Sequence, residues 1–149
     1  MSRTYVKLDA PLTYRKWIDG LREGRSYLSD GRAHLMDFRV NGGLEDVRLR
    51  GRGRVNVAMK AAVLLDKTPN LALQKLPYDQ KPYWTVERAR IGETNEVAVE
   101  LVVNGKVVAV KNVVGDGAVR DVEFEVEMER SAWVAARVLP AAHTNPVCG

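Results

Sequence analysis

The sequence predicts a mainly β fold, an antiparallel sandwich of short strands with one short helix near its N-terminus. Three observations lead to this prediction. Apolar and polar residues alternate with period two over most of the chain, a helical period occurs once near the start, and turn-forming dipeptides separate the alternating runs. Several short strands behind a single helix favour two packed sheets over a βαβ arrangement, so we expect an Ig-like sandwich.

The helix is predicted at about 13–23. Thr13 suits the N-cap, and Gly24 suits the position just after the last turn, where a positive φ is common. Gly20 weakens the helix interior by about 1 kcal/mol relative to alanine, so packing must stabilise this helix. The spacing i, i+3, i+4 and i+7 places four residues on one apolar stripe: Tyr14, Trp17, Ile18 and Leu21. We expect Trp17 on this stripe, and Trp133 in the last long strand, to be largely buried.

The strands follow in order along the chain. The first alternating run places His34, Met36, Phe38 and Val40 on one face. The next run, 47–65, is too long for one strand of this domain, so we expect a turn or bulge at 51–53. Asn104-Gly105 is a strong hairpin signal because both positions tolerate positive φ. Further strands are predicted at 122–128 and at about 132–138.

Two segments are less regular. Residues of about 66–83 contain three prolines and no sustained period, which predicts an irregular excursion. The following segment, 84–91, is predicted as a strand. A regular strand there buries at least one charge among Glu87, Arg88 and Arg90, and a buried charge needs a partner.

Length and composition indicate one domain, 1–149. A chain of 149 residues that is 46% hydrophobic and 28% charged can form a core without a disulfide or a structural metal. Cys148 is the only cysteine, so an internal disulfide is excluded. No run of about 18 apolar residues occurs, so the sequence predicts no membrane contact. Both ends of the sequence suggest a fragment of a longer protein.

Motifs for chemistry are absent. His34 and His143 lie far apart and outside any metal-ligand motif, and no serine lies in a nucleophile motif. We therefore expect no catalytic residue, no metal site and no cofactor in this chain. His34 is interpreted as a strand side chain at the margin of a sheet.

Nucleic acid is not expected as a partner, although four arginines alternate along one run: Arg48, Arg50, Arg52 and Arg54. No aromatic residues interleave with them for base stacking. A matching acidic run, 121–129, predicts that the two sets pair with each other across neighbouring strands. The net charge of +4 is also mild for a nucleic-acid-binding domain.

Three segments together resemble a known family. They are Trp17–Gly31, which begins with the form W-x-x-G-L-x-x-G-R-[ST]-[FY], then Trp84–Gly92 leading into Glu100–Gly105, and then Trp133–Arg137 followed by Ala142–Val147. In this order they resemble the β-rich C-terminal region of PHP-type metallohydrolases of the carbaryl-hydrolase-like group. The resemblance spans about 12–147, with 66–83 unmatched. Arg32 stands where the family usually has proline, and Ala132 where it usually has glycine.

The resemblance implies a role without catalysis. In that family the metal ligands come from the preceding domain, so a divalent metal and an N-terminal catalytic domain are expected only upstream of this chain. The chain itself is expected to be an accessory domain that packs on that catalytic domain through the helix and the segment 25–31, and possibly shapes its substrate pocket. The alternative is a free-standing Ig-like module that binds a protein or a carbohydrate.

Four residues are candidates for a site at the domain junction: Arg25, Arg88, Arg90 and His143. Arginine suits an anionic group because its planar guanidinium matches carboxylates and phosphates. The alternative for the segment 84–91 is an internal Glu–Arg network that fixes the excursion. The oligomeric state stays open.

Overall fold

A computed structural model describes residues 2–43, 52–80, 82 and 85–148. Ten strands and two α-helices lie within these ranges. In chain order they are β1 Arg3–Val6, α1 Tyr14–Arg22, β2 Ser26–Ser29, β3 Ala33–Val40, β4 Gly53–Val63, α2 Leu71–Lys75, β5 Glu96–Val103, β6 Lys106–Val114, β7 Arg120–Met128, β8 Trp133–Val138, β9 Ala142–Thr144 and β10 Val147–Cys148. Two 3₁₀ turns, Tyr78–Gln80 and Val86–Ala89, lie between α2 and β5.

The strands form two antiparallel sheets, which confirms the predicted β-sandwich. One sheet has seven strands in the order β1-β2-β9-β8-β5-β6, with β10 also paired to β8. The other has three strands in the order β3-β4-β7. The apolar faces of the two sheets meet in one core. Fully buried side chains from each sheet contribute to it, Val57 and Val63 from β4 and Val99 and Leu101 from β5.

Strand β4 confirms the predicted alternation. Its core side carries five buried residues, Val55, Val57, Met59, Ala61 and Val63. Gly51, the first residue of the predicted turn at 51–53, lies outside the described residues, and β4 begins at Gly53. The hairpin at Asn104-Gly105 is confirmed, since both residues have positive φ, 48° and 82°, between the paired strands β5 and β6.

The basic and acidic runs pair with each other, as the sequence predicted. Strands β4 and β7 are in register from Gly53 to Ala61, and their outer faces are joined by ion pairs. Arg52 lies 2.9 Å from Glu127, and Arg54 lies 3.2 Å from Glu125. Lys60 lies 2.8 Å from Asp121 at the other end of the ladder. Arg48 and Arg50 lie outside the described residues.

The predicted single face of His34, Met36, Phe38 and Val40 is interrupted in the middle of β3. Ala33 and Leu35 are buried, whereas His34 and Met36 are only half-buried. A β-bulge interrupts the pairing of β3 with β4 between Met36 and Arg39, and Asp37 within it has φ +53°. The extra residue reverses the alternation, so Phe38 and Val40 point into the core while His34 and Met36 do not.

The segment 84–91 is also different from its prediction. Val86–Ala89 is a 3₁₀ turn, and Arg90 makes an isolated β-bridge with Val97. The excursion of about 66–83 contains α2 and a 3₁₀ turn, which the lack of periodicity did not indicate. Trp84 lies outside the described residues.

Helix α1 has the predicted ends. The Thr13 side chain accepts a hydrogen bond from the Lys16 N–H at 3.3 Å. The last turn closes with hydrogen bonds from Gly24 N–H to Leu21 O and from Arg25 N–H to Gly20 O, with Gly24 at φ +71°. None of the helices in the described part of the chain has the length and hydropathy that crossing a membrane requires.

The apolar stripe of α1 is only partly covered by the described part of the chain. Tyr14 is 81% exposed, and Trp17, Ile18 and Leu21 are only half-buried. Trp17 is therefore partly buried but lies outside the hydrophobic core. Gly20 is the buried residue of the helix, and it packs closely against the Val6 side chain of β1.

Gly20 gives a direct test of that contact. A Cβ at position 20 would lie 2.4 Å from Cγ1 of Val6, which forces β1 and α1 apart. We expect Gly20→Ala to destabilise the domain by about 1–3 kcal/mol, although alanine is the better helix former.

The double variant Gly20→Ala/Val6→Ala is the control. Removing the Val6 methyl groups makes room for the new Cβ, so Gly20→Ala should cost much less in the Val6→Ala background, as measured by urea unfolding. Equal costs in both backgrounds would contradict the contact.

Candidate functional site

The four candidate residues line three different cavities. Arg25 lines a cavity of about 350 Å³ between the two sheets. Arg88 and Arg90 line one of about 310 Å³ beside α2. His143 lines an apolar groove of about 540 Å³ on the outer face of the seven-stranded sheet. The structure therefore gathers them into no single cavity that presents all four to one anion.

Arg90 belongs to a buried ion pair. Its Nε lies 2.8 Å from Oε2 of Glu87, and both side chains are almost fully buried, at 1% and 2% exposure. The two residues come together because the 3₁₀ turn places them three positions apart. This is the internal Glu–Arg network that the sequence left open as an alternative.

The pair holds the start of the excursion to its end. Oε1 of Glu87 accepts a hydrogen bond from the Asp66 N–H at 2.7 Å, while the Arg90 guanidinium donates to the backbone oxygens of Asp66 and Thr94. Each buried charge thus has several partners, as burial of a charge requires. The network fixes residue 66 against the segment 87–94, across the base of the excursion.

The carboxyl of Glu87 stays ionised in this setting. Burial alone would raise its pKa, but the hydrogen bonds from Arg90 and from the Asp66 N–H outweigh it and hold the pKa below the ordinary 4.5. A carboxyl with a lowered folded-state pKa contributes stability at neutral pH, and that contribution is lost as the pH falls through the lowered pKa.

Arg25 lies at the junction of α1 and β2. Its terminal nitrogens bind two carboxylates, at 2.7 Å to Glu23 and at 3.3 Å to Asp9. Its Nε is buried and has no hydrogen-bond acceptor among the described residues. The side chain as a whole is 21% exposed.

Asn145 connects two of the segments that carry the resemblance, and the sequence alone assigns it no structural role. Its Nδ2 donates to the Ser26 hydroxyl at 2.8 Å and to the Gly24 carbonyl at 3.2 Å. The Gly24–Tyr27 and His143–Pro146 segments, far apart in sequence, are therefore in direct contact. The shared presence of both motifs was the signal that could have predicted this contact.

His143 is exposed on the outer face of the sheet. Its Nδ1 lies 3.2 Å from the Thr144 carbonyl oxygen, and its strand neighbours are Leu28 and Arg137. Arg137 in turn donates to Glu100 at 2.6 Å. The outer face thus carries a short row of polar side chains across β9, β8 and β5.

Trp133 lies beside this row, and the prediction that it is largely buried is wrong. It is 37% exposed and lines the same groove as His143. Val134, which points the other way, is buried at 4% and takes the core position. An exposed tryptophan offers a broad apolar face, so this groove is a second uncovered apolar surface of the domain.

His34 is at the margin of its sheet, as the sequence predicted, and it belongs to an aromatic cluster. Its Nδ1 lies 2.9 Å from the Tyr27 hydroxyl, and its ring meets those of Tyr5 and Tyr27 edge-on. Burial and the neighbouring Tyr5 raise the pKa of Tyr27. Among the described residues, no three His, Cys, Asp or Glu side chains form a group suited to hold a metal ion.

Comparison with protein-family models, with curated proteins and with solved structures finds no significant match to this chain. The fold and the site geometry therefore rest on the chain's own residues.

Arg90→Lys tests the buried network. Lysine keeps the charge but cannot donate to Glu87, Asp66 and Thr94 together, so we expect a loss of about 2–4 kcal/mol in the free energy of unfolding. The matched control is Arg54→Lys at an exposed ion pair, where about 0–1 kcal/mol is expected. Similar losses for the two variants in urea unfolding would contradict the structural role of Arg90.

Proposed function

We propose that this chain is a non-catalytic accessory domain of a larger metal-dependent hydrolase. In this proposal it packs on an N-terminal catalytic domain of the same protein and helps to shape the substrate pocket there. The divalent metal and the catalytic residues belong to that domain. The parent is proposed to be a PHP-type hydrolase of the carbaryl-hydrolase-like group, from the three resembling segments.

The exposed apolar residues at the N-terminal end of α1 are the observation that carries this proposal. Tyr14 is 81% exposed, and Leu12 just before the helix is 73% exposed. An amphipathic helix normally buries its apolar side in a core, whereas in this one only Gly20 is fully buried and Tyr14 is left exposed. A partner surface on the outside is the simplest use of such a stripe.

The contact between motifs supports the same proposal. Asn145 ties the end of the α1 segment to β9, so the helix is held in a fixed position relative to the sheet. A fixed helix is a better docking element than a mobile one, because less conformational entropy is lost on association. The family-like residues here act on the arrangement of the domain rather than on chemistry.

A free-standing Ig-like binding module is the second candidate, and Trp133 favours it. The exposed indole lies in a groove that also contains Arg137 and His143. An aromatic face beside polar groups is a common arrangement for ligand recognition. A carbohydrate or a protein loop is the class of ligand that would fit this candidate.

The first experiment determines the coding sequence upstream of Met1 and then tests whether the domain encoded there binds this domain. We expect an open frame with an H-x-H metal motif. The upstream domain and this domain, produced separately, should co-elute in size-exclusion chromatography. Tyr14→Ser should weaken their association at least about tenfold, because central aromatic residues dominate interface energies.

Val119→Ser is the matched control, because Val119 is 57% exposed at a distance along the chain from α1. It should leave the association unchanged. Separate elution of the two wild-type domains, or full activity of a parent enzyme that lacks this domain, would contradict the accessory role. Saturable binding of an oligosaccharide that is lost in Trp133→Ala would favour the binding module instead.

A further inference from the structure

We infer that the groove beside Trp133 binds a small neutral amide, a molecule with an apolar body and a carboxamide group at one end. This groove is the depression of about 540 Å³ on the outer face of the seven-stranded sheet. The inference concerns this domain alone and does not rest on the accessory role proposed above. It gives a ligand class to the same groove that favours the second candidate, the binding module.

The groove lies along β8 and has mainly apolar walls. Trp133, Ala135 and Arg137 occupy alternate positions of this strand, so they share its outer face at steps of about 7 Å. The small side chain of Ala135 leaves a depression between the indole and the guanidinium. Leu139 and Pro146 add further apolar wall. The volume lies within the usual range for small-molecule sites, so the groove suits a compact apolar body.

The guanidinium of Arg137 supplies hydrogen-bond donors at one end of the groove. Its Nε donates to Glu100 at 2.6 Å, and the side chain is 34% exposed. Its two Nη nitrogens have no acceptor among the described residues, and they do not belong to the buried polar atoms without a partner. A ligand oxygen can therefore reach these nitrogens without displacing Glu100.

His143 supplies an acceptor beside these donors. It is exposed and lies opposite Arg137 on the neighbouring strand, which places the two Cβ atoms about 5 Å apart. Its Nδ1 lies 3.2 Å from the Thr144 carbonyl oxygen, which can only accept, so Nδ1 carries the hydrogen. The neutral ring then presents Nε2 as an acceptor, and no described residue donates to it. Donors and an acceptor side by side match the C=O and N–H groups of an amide.

The charges of the site favour a neutral ligand over a carboxylate. Arg137 and Glu100 form an ion pair, so their charges cancel. A carboxylate bound to the Nη nitrogens would be repelled by Glu100, and it has no hydrogen to donate to Nε2 of His143. An amide accepts from Arg137 and donates to His143 without that repulsion.

Three ligands with the same phenyl body separate these features. Hydrocinnamide has an acceptor and a donor, N,N-dimethylhydrocinnamide keeps only the acceptor, and hydrocinnamate has acceptors and a negative charge. Each is titrated into the ¹⁵N-labelled chain while NMR follows the indole N–H of Trp133 and the backbone amides of Arg137 and His143. We expect saturable shifts at all three groups with hydrocinnamide, and dissociation constants at least about fivefold higher for the other two ligands.

Variants assign the roles of the side chains. His143→Leu removes the acceptor, so it should weaken hydrocinnamide at least about fivefold but should not weaken the dimethyl derivative. Arg137→Lys keeps a cation beside Glu100 but removes the planar fork, and should weaken both amides. Trp133→Ala removes apolar wall and should weaken all three ligands. Arg54→Lys, on the outer face of the other sheet, is the control and should change no affinity. Thermal unfolding establishes that each variant is folded.

Several results would overturn the inference. The first is the absence of saturable shifts at Trp133 and Arg137 with hydrocinnamide. Equal or tighter binding of hydrocinnamate would show an anion site instead, and equal binding of the dimethyl derivative would remove the role of His143. Equal weakening of both amides by His143→Leu would show a loss of packing rather than of a hydrogen bond. The accessory role is decided separately, by association with the upstream domain.

Discussion

The apolar side of β4, from Val55 to Val63, is the surface around which the rest of the domain is arranged. Its residues are buried at 3% exposure or less, and they need the second sheet above them. The opposite side of the same strand carries the basic residues that pair with β7. Each of these exposed ion pairs contributes only about 0–1 kcal/mol to stability, so burial of the apolar side determines the fold. The charged side chains make the outer face of this sheet suited to contact with solvent.

The buried Glu87–Arg90 pair depends on this core and adds order at its edge. Val86, next to it, is fully buried in the same core and fixes the 3₁₀ turn in place. A buried ion pair is expensive to desolvate, and it is favourable only when further hydrogen bonds complete it. Here they come from the backbone of residues 66 and 94, so the pair orders the excursion that periodicity alone left undefined.

The sequence predicted what depends on local pattern. Thr13 and Gly24 mark the ends of α1 because capping is a local interaction, and the alternation in β4 and β7 holds because both strands are regular and half-covered. It failed where one residue changes the register. Asp37 inserts a bulge that reverses the first half of β3, and no neighbouring residue signals it. Val134 of β8 takes the core position, and Trp133 does not. Alternation cannot predict which of the two faces the core, because this strand carries apolar residues on both sides.

The candidate site shows the same limit. Sequence identified Arg90 as a charge that needs a partner, and the structure supplies Glu87. It could not place Arg25, Arg88 and His143 relative to one another, because their distances depend on sheet order rather than on spacing along the chain. Asn145 was overlooked for the same reason, since its partners lie more than a hundred residues away.

Native-state hydrogen exchange tests the central claim that the inter-sheet core holds the domain while α1 lies at its edge. The account predicts that β4 amides such as those of Val57 and Met59 exchange only by global unfolding, whereas α1 amides exchange through local opening at a clearly lower free energy. Equal opening free energies for α1 and β4, with the same dependence on denaturant, would show that the helix is part of the core and would contradict the account.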